Sequence, residues 1–120
     1  GTYVEISINQ QHMWYYKNGK LVVETDVVTG NYGTNDTPKG AYSIIYKASP
    51  ATLMLNSHVT FWLPFTSDGC GIHDASWRSS WEYGGTRYKG HGSHGCVNTP
   101  YNAAKKIYNN ISSGTRVVVY

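Results

Sequence analysis

The chain has 120 residues, the size of one domain with one core. Hydrophobic residues make up 40% and charged residues only 14%, and the gap is filled by Gly, Ser, Thr, Asn and 11 Tyr, a profile that suits a β-rich domain facing sugar or peptide rather than a charged helical one. The net charge of +3 is carried by scattered Lys and Arg, whose densest pair is Lys105-Lys106, so no nucleic acid is expected as a partner. The two cysteines, Cys70 and Cys96, are too few for a disulfide-built scaffold. The sequence has no signal peptide, and no apolar run approaches the ~18 residues needed to cross a bilayer. Gly1-Thr2 leads straight into a strand pattern, so the chain reads as a single domain excised from a longer exported protein, with any export signal or membrane anchor upstream.

Taken in chain order, residues 3–8 are β-branched and aromatic with partial alternation, and predict a strand. Residues 12–17 and 20–28 are two more, separated by Asn18-Gly19. Both residues of a tight hairpin turn need positive φ, which makes Asn-Gly a strong hairpin signal. Residues 29–40 are loop, 41–47 strand and 49–57 ambiguous. Residues 59–65 are apolar, with Pro64 ending a strand or lying at its edge. A short strand over 69–73 runs into a long polar and aromatic loop, 74–93, of the kind that is often functional. A helix follows, with Thr99 as cap, Pro100 as first helical residue, Ala104, Ile107, Tyr108 and Ile111 on one face, and Gly114 ending the pattern. Residues 115–120 predict a last strand. The fold class is mainly β, a mixed sheet or sandwich with one clear helix near the C-terminus.

The chemistry concentrates in Gly92-Ser93-His94-Gly95-Cys96-Val97-Asn98. A thiol becomes a useful nucleophile when an imidazole, a helix N-terminus or another electropositive group favours its thiolate. His94 lies two residues away and the helix starts shortly after. Gly95 leaves the neighbouring backbone open, so nearby amides can donate to a developing oxyanion. The second group is Asp68-Gly69-Cys70-Gly71-Ile72-His73-Asp74. Alternation sets Gly71 and His73 on one face, with room beside Gly71 for a ligand, and Cys70 and Ile72 on the other. A base so far upstream of its nucleophile acts through tertiary folding, as is usual for Cys/His sites.

With these residues in place, the sequence resembles the YkuD-type L,D-transpeptidase catalytic domain. That family's signature is a histidine, a spacer, then Ser/Thr-His-Gly-Cys, a hydrophobic residue and Asn or Arg. Here it reads His73, a spacer, then Ser93-His94-Gly95-Cys96-Val97-Asn98. Thr37-Pro38-Lys39-Gly40-Ala41-Tyr42 matches a second hallmark, and the tyrosine- and tryptophan-rich opening is most similar to the enterococcal members. The spacer is slightly longer than usual, and Cys70 stands where hydrophobic residues are commoner.

The resemblance implies that Cys96 attacks the carbonyl between the third residue and D-Ala of a peptidoglycan tetrapeptide stem, with His73 as base. D-Ala leaves, and an amine of a neighbouring stem resolves the thioester into a 3→3 cross-link. It implies stem peptides as acyl donor and acceptor, carbapenem β-lactams as covalent inhibitors, no cofactor and no metal, a monomer, and an extracytoplasmic site at the cell wall. Two alternatives stay open. An L,D-carboxypeptidase would let water resolve the same thioester, and a non-catalytic wall-binding module would lack a working nucleophile and base.

Around that centre, His94 shares the base role, tunes the thiol or holds the loop, with tuning and site structure favoured over primary base; Ser93 bonds backbone or orients an imidazole, and Asn98 bonds the loop or substrate, or serves a plain turn or cap. Trp77, Trp81 and Tyr83 either pack on substrate or form the loop's own small core. His12 and His58 are structural, and His91 is an exposed lid residue. Cys70 is read as buried and inert, and a disulfide with Cys96, which would abolish activity, is not expected in the active enzyme. Zinc held by His73, His91, His94 and Cys96 is the least favoured reading, because His-x-Cys is not a common zinc spacing.

Overall fold

The computed structural model describes residues 1–53 and 56–120. Met54 and Leu55, within the segment that the sequence leaves ambiguous, lie outside the described residues. Strands β1 (Tyr3–Ser7), β2 (His12–Lys17) and β3 (Lys20–Asp26) form an antiparallel meander. The turn between β2 and β3 has Asn18 at φ 52° and Gly19 at φ 79°, the double positive φ that Asn-Gly favours. Strand β4 (Gly40–Ser43) pairs with the C-terminal strand β10 (Arg116–Val119), and β10 pairs in parallel with β1, giving the order β3-β2-β1-β10-β4. Alternation decides which side is dry: Val4, Ile6, Val117 and Val119 are buried, while Arg116 and Val118 on the same ladder are exposed.

A second sheet consists of β7 (Trp62–Pro64), β8 (Gly71–Asp74) and β9 (Val97–Thr99), with β7 antiparallel and β9 parallel to β8. A small ladder, β5 (Ala51–Thr52) with β6 (His58–Val59), precedes it. The predicted strand over 59–65 is thus split, because the Thr60 and Phe61 amides turn aside to the Asp74 carboxylate. Pro64 closes β7 opposite Gly71, the edge placement that its missing N–H permits. The strand expected over 41–47 stops at Ser43 and the one over 20–28 stops at Asp26. Val28 instead forms an isolated bridge to Asn98, which ties the first sheet to the second.

The long segment 75–96 carries a 3-10 turn at Ser80–Glu82 and one kinked helical turn, α1 (Tyr88–His91). The main helix, α2 (Tyr101–Asn110), starts one residue later than expected. Pro100, with extended ψ of 142°, is its N-cap rather than its first residue, and Thr99 belongs to β9. The helix ends well before Gly114 because tertiary partners satisfy its last carbonyls: the Tyr15 hydroxyl and the Lys17 ammonium both donate to Asn110 O at 3.0 Å, and Lys47 donates to Ile111 O at 3.0 Å.

Helix α2 buries Ala104 and Ile107 in one core together with Val4, Ile6, Met13, Tyr15, Leu63, Ile72 and Val97. Truncating the fully buried Ile107 to Ala is expected to cost about 2–5 kcal/mol by combined loss of transfer energy and cavity formation. The exposed Lys105→Ala on the same helix should stay within about 0.5 kcal/mol. Urea unfolding of the two variants checks the contrast.

Candidate active site

The floor of the site is the β7–β8–β9 sheet. Cross-strand partners share a face, so the register Trp62↔His73↔Asn98 lines these three side chains up on one side. Leu63↔Ile72↔Val97 point to the other side and are fully buried in the core. The apolar row thus anchors the sheet and leaves the other row facing the candidate site.

His73 is 4% exposed. Its Nδ1 lies 2.6 Å from the Asp74 carbonyl oxygen, which can only accept, so Nδ1 carries the proton and Nε2 keeps its lone pair. Trp62 and Trp77 pack near the imidazole, each with its ring centroid 5.8 Å away. Burial pulls the His73 pKa below the ordinary histidine value, against the opposing pull of the Asp74 carbonyl and carboxylate. The ring is therefore neutral, with a free acceptor nitrogen, at neutral pH. Gly71, two residues back on the same face, makes space for the arrangement: a Cβ there would lie 2.8 Å from the Trp62 ring and 2.6 Å from Leu63 O.

Cys96 sits in a loop held almost entirely by its own backbone and by hydroxyls. The Ser93 hydroxyl donates to Cys96 O and accepts from the Gly95 amide at 3.1 Å. Ser93 N donates to Thr29 O at 3.0 Å, and Asn31 N to Ser93 O at 2.9 Å. The buried Thr37 hydroxyl donates to Gly95 O at 2.7 Å and accepts from Gly30 N at 2.9 Å. Gly95 itself has φ 127°, which an L side chain rarely adopts. Since its amide is engaged by Ser93, the oxyanion donor expected at Gly95 is not free. The Cys96 thiol donates to Gly69 O at 3.5 Å, and the Gly71 amide points back at the sulfur. Burial pushes the thiol up to about 11, outweighing the Gly71 amide, and the Cys70 and Asp68 charges push the same way.

Several expectations change here. A site that lowers the thiol pKa was expected from His94 and the helix N-terminus. The His94 ring is exposed and makes no hydrogen bond among the described residues, and β9 separates the thiol from α2. Cys70 is half-buried rather than enclosed, with its sulfur 3.1 Å from where a Gly95 Cβ would be. Trp81 is 70% and Trp77 52% exposed, whereas Tyr83 is half-buried and donates to Ala75 O at 3.2 Å, so the three do not form one cluster core. His91 is exposed. Among the described residues no group of three or more His, Cys, Asp or Glu side chains stands together as a metal site.

Four residues matter more than their sequence context suggests. Trp62 walls His73, and Thr37 clamps the nucleophile loop. The fully buried Gln11 exchanges hydrogen bonds with Thr29, donating from Nε2 to its hydroxyl at 2.7 Å and accepting its amide at 3.0 Å, and so braces the strand end on which that loop rests. Arg78 reaches from the lid to Asn98. With the Asn98 carbonyl turned toward a donor-only guanidinium, Nε lies 2.8 Å and Nη2 3.3 Å from it. Arg78 continues to Glu82 at 3.3 Å, and Glu82 to Arg87 at 3.4 Å. A cavity of about 410 Å³ opens beside this ladder, lined among others by Asp26, Ser76, Arg78, Tyr83 and Tyr101. The signal available for Thr37 was its place in the Thr-Pro-x-Gly turn. Arg78 and Gln11 carry none.

The geometry has close counterparts. The crystal structure of a cysteine-to-serine variant of Enterococcus faecium L,D-transpeptidase superposes with a TM-score of 0.93 at 42% identity, covering 99% of this chain and 49% of that one. The solution structure of the E. faecium catalytic domain alone gives 0.87 at 41% identity over 100% of this chain and 97% of that one, and its ertapenem-acylated form 0.82 at 40% identity over 99% and 96%. The chain thus spans about half the length of the first relative and nearly all of the isolated domain. No curated protein sequence matched the chain. Residues 1–119 match the YkuD family, described as the L,D-transpeptidase catalytic domain, and the chain belongs to that family.

Proposed function

We propose that the chain is the catalytic domain of a peptidoglycan L,D-transpeptidase acting outside the cytoplasm at the cell wall, with Cys96 as nucleophile and His73 as base. The observation that carries this reading is the free Nε2 lone pair of a neutral, buried His73 on the strand whose Gly71 amide points at the Cys96 sulfur. With the thiol held near 11, little thiolate exists at rest. The thiol therefore loses its proton to His73 as it attacks, which is general-base rather than preformed ion-pair catalysis.

In the first half-reaction the sulfur adds to the carbonyl between the third stem residue and D-Ala. The imidazolium returns the proton to the departing D-Ala amine, leaving a thioester. In the second, His73 takes a proton from the acceptor amine of a neighbouring stem, and collapse of the adduct releases Cys96 and a 3→3 cross-link. The Cys96 amide is the oxyanion donor of this scheme, because the Gly95 amide is engaged by Ser93. A relative with this fold is acylated by ertapenem, which supports carbapenems as covalent probes here.

Intact mass after incubation with a carbapenem should show one adduct on the wild type and none on Cys96→Ala. With a tetrapeptide donor and an acceptor amine present, the cross-linked product should exceed the hydrolysed tripeptide. Absence of an adduct on the folded, reduced wild type would remove the nucleophile assignment. The pH profile separates two mechanisms. A base with a lowered pKa is already deprotonated at neutral pH, so acylation should be level from about pH 7 to 9 and fall only below the ordinary histidine value of ~6.5. Attack by preformed thiolate alone would instead climb about tenfold per pH unit toward 11. Finally, Thr37→Val strands two buried backbone groups, a cost of about 1–3 kcal/mol. Carbapenem acylation should slow by roughly tenfold or more, with Thr37→Ser largely restoring it, as stopped-flow acylation rates would show.

A further inference from the structure

Cys70 is a nucleophilic side chain that the transfer reaction does not use, and it stands beside the one that it does. The turn bearing it is closely fixed. Phe65 N and Thr66 N both donate to Cys70 O, at 2.9 and 3.1 Å, and Cys70 N donates to the Thr66 hydroxyl at 2.8 Å. The Cys96 sulfur lies against the two peptide groups that flank the Cys70 Cα, with Gly69 O on one side and the Gly71 amide on the other. That C=O and that N–H both point out of the strand edge. The sulfur therefore lies at the edge of β8 rather than on one face, and strand alternation does not separate the two thiols.

From the other direction, the Cys70 sulfur reaches to 3.1 Å from the Cβ position of Gly95, the residue bonded to Cys96. The first pair of the β8–β9 ladder, Ile72↔Val97, holds the two segments side by side just beyond these residues. Each sulfur thus lies against the backbone next to the other cysteine.

We propose that Cys70 is a resolving thiol for the nucleophile, so that two-electron oxidation by a hydroperoxide closes a reversible Cys70–Cys96 disulfide. The Cys96 sulfur attacks the peroxide O–O bond, becoming a sulfenic acid while the peroxide leaves as alcohol or water. The Cys70 sulfur then attacks the sulfenic sulfur, the S–O bond breaks, and the hydroxide leaves with the Cys70 proton as water. The two thiols lose two electrons and the peroxide gains them. Two equivalents of an external thiol reopen the bond and leave as their own disulfide. A Cβ at position 95 would lie 3.1 Å from the Cys70 sulfur, so the glycine leaves that sulfur room to move. Both thiols are held above the ordinary cysteine value mainly by burial, so oxidation is slow at neutral pH and accelerates as pH rises. The pair thus protects the nucleophile from irreversible over-oxidation rather than acting as a fast sensor. Disulfide formation needs only the two thiols, whereas its effect on transfer rests on the proposed role of Cys96.

The test treats the reduced full chain with a small excess of hydrogen peroxide, blocks free thiols with iodoacetamide and measures intact mass. The wild type should lose two hydrogens, remain monomeric and take no alkyl group. Peptide mapping should join the Cys70 and Cys96 peptides, and dithiothreitol should restore carbapenem acylation. Cys70→Ser and Cys70→Ala, each first shown to be folded by circular dichroism, should instead pass to the sulfinic acid on Cys96 and lose acylation irreversibly. Wild type that over-oxidises at the same rate as these variants, with no linked peptide, would overturn the proposal. If the linked peptide forms but carbapenem acylation is absent even in the reduced protein, the pairing stands and the transferase reading fails instead.

Discussion

The parallel pairing of β8 with β9 is the constraint on which the rest of this domain turns. Parallel neighbours cannot be joined by a tight turn, so the chain must leave the sheet after Asp74 and return before Val97. That excursion creates both segment 75–91 and the loop that carries Cys96, and the ladder's register sets His73 beside Asn98 while the loop delivers Cys96 to the edge of β8. The apolar partners on the other face, Leu63, Ile72 and Val97, fix this register because a one-residue slip would turn all three out of the core. The site geometry is thus held by hydrophobic burial on the side of the sheet that takes no part in the chemistry.

The nucleophile loop follows a different logic. It has no apolar anchor of its own, and its shape comes from hydroxyls that satisfy backbone groups: Ser93 within the loop, and Thr37 from the segment before β4. Hydroxyls are short and carry both a donor and acceptors, so a single Thr37 can join Gly30 N–H to Gly95 C=O across two loops. Gln11 extends the same device one layer further by holding Thr29, whose carbonyl accepts the Ser93 amide. Such a loop keeps the thiol in place through its backbone.

The sequence is legible where the physics is local. Asn18-Gly19 needs positive φ at both residues and makes the hairpin; the alternation of Val4, Ile6, Val117 and Val119 gives the buried ladder; the Ala104–Ile107 spacing gives the helix face. The family assignment was legible from Ser93 to Asn98 together with His73. What was not legible is whatever depends on partners distant in the chain. The helix stop is set by Tyr15, Lys17 and Lys47 rather than by Gly114. The break after Val59 follows from the Asp74 carboxylate. The environment of Cys96 is hidden from the sequence for the same reason. Sequence proximity placed His94 and a helix N-terminus near the thiol, while in the fold the ring points to solvent and burial dominates.

That dominance of burial connects segment 75–87 to His73. His73 is neutral because its surroundings are dry, and part of that dryness is Trp77, itself half exposed on the lid. Arg78, the next residue, holds Asn98, the register partner of His73, and Glu82 and Arg87 complete the attachment. Lifting this segment would remove the desolvation that lowers the His73 pKa, and the imidazole would move back toward its ordinary value, with a larger charged fraction near neutral pH. The attachment of segment 75–87 and the lowered pKa of His73 are therefore one property of the fold.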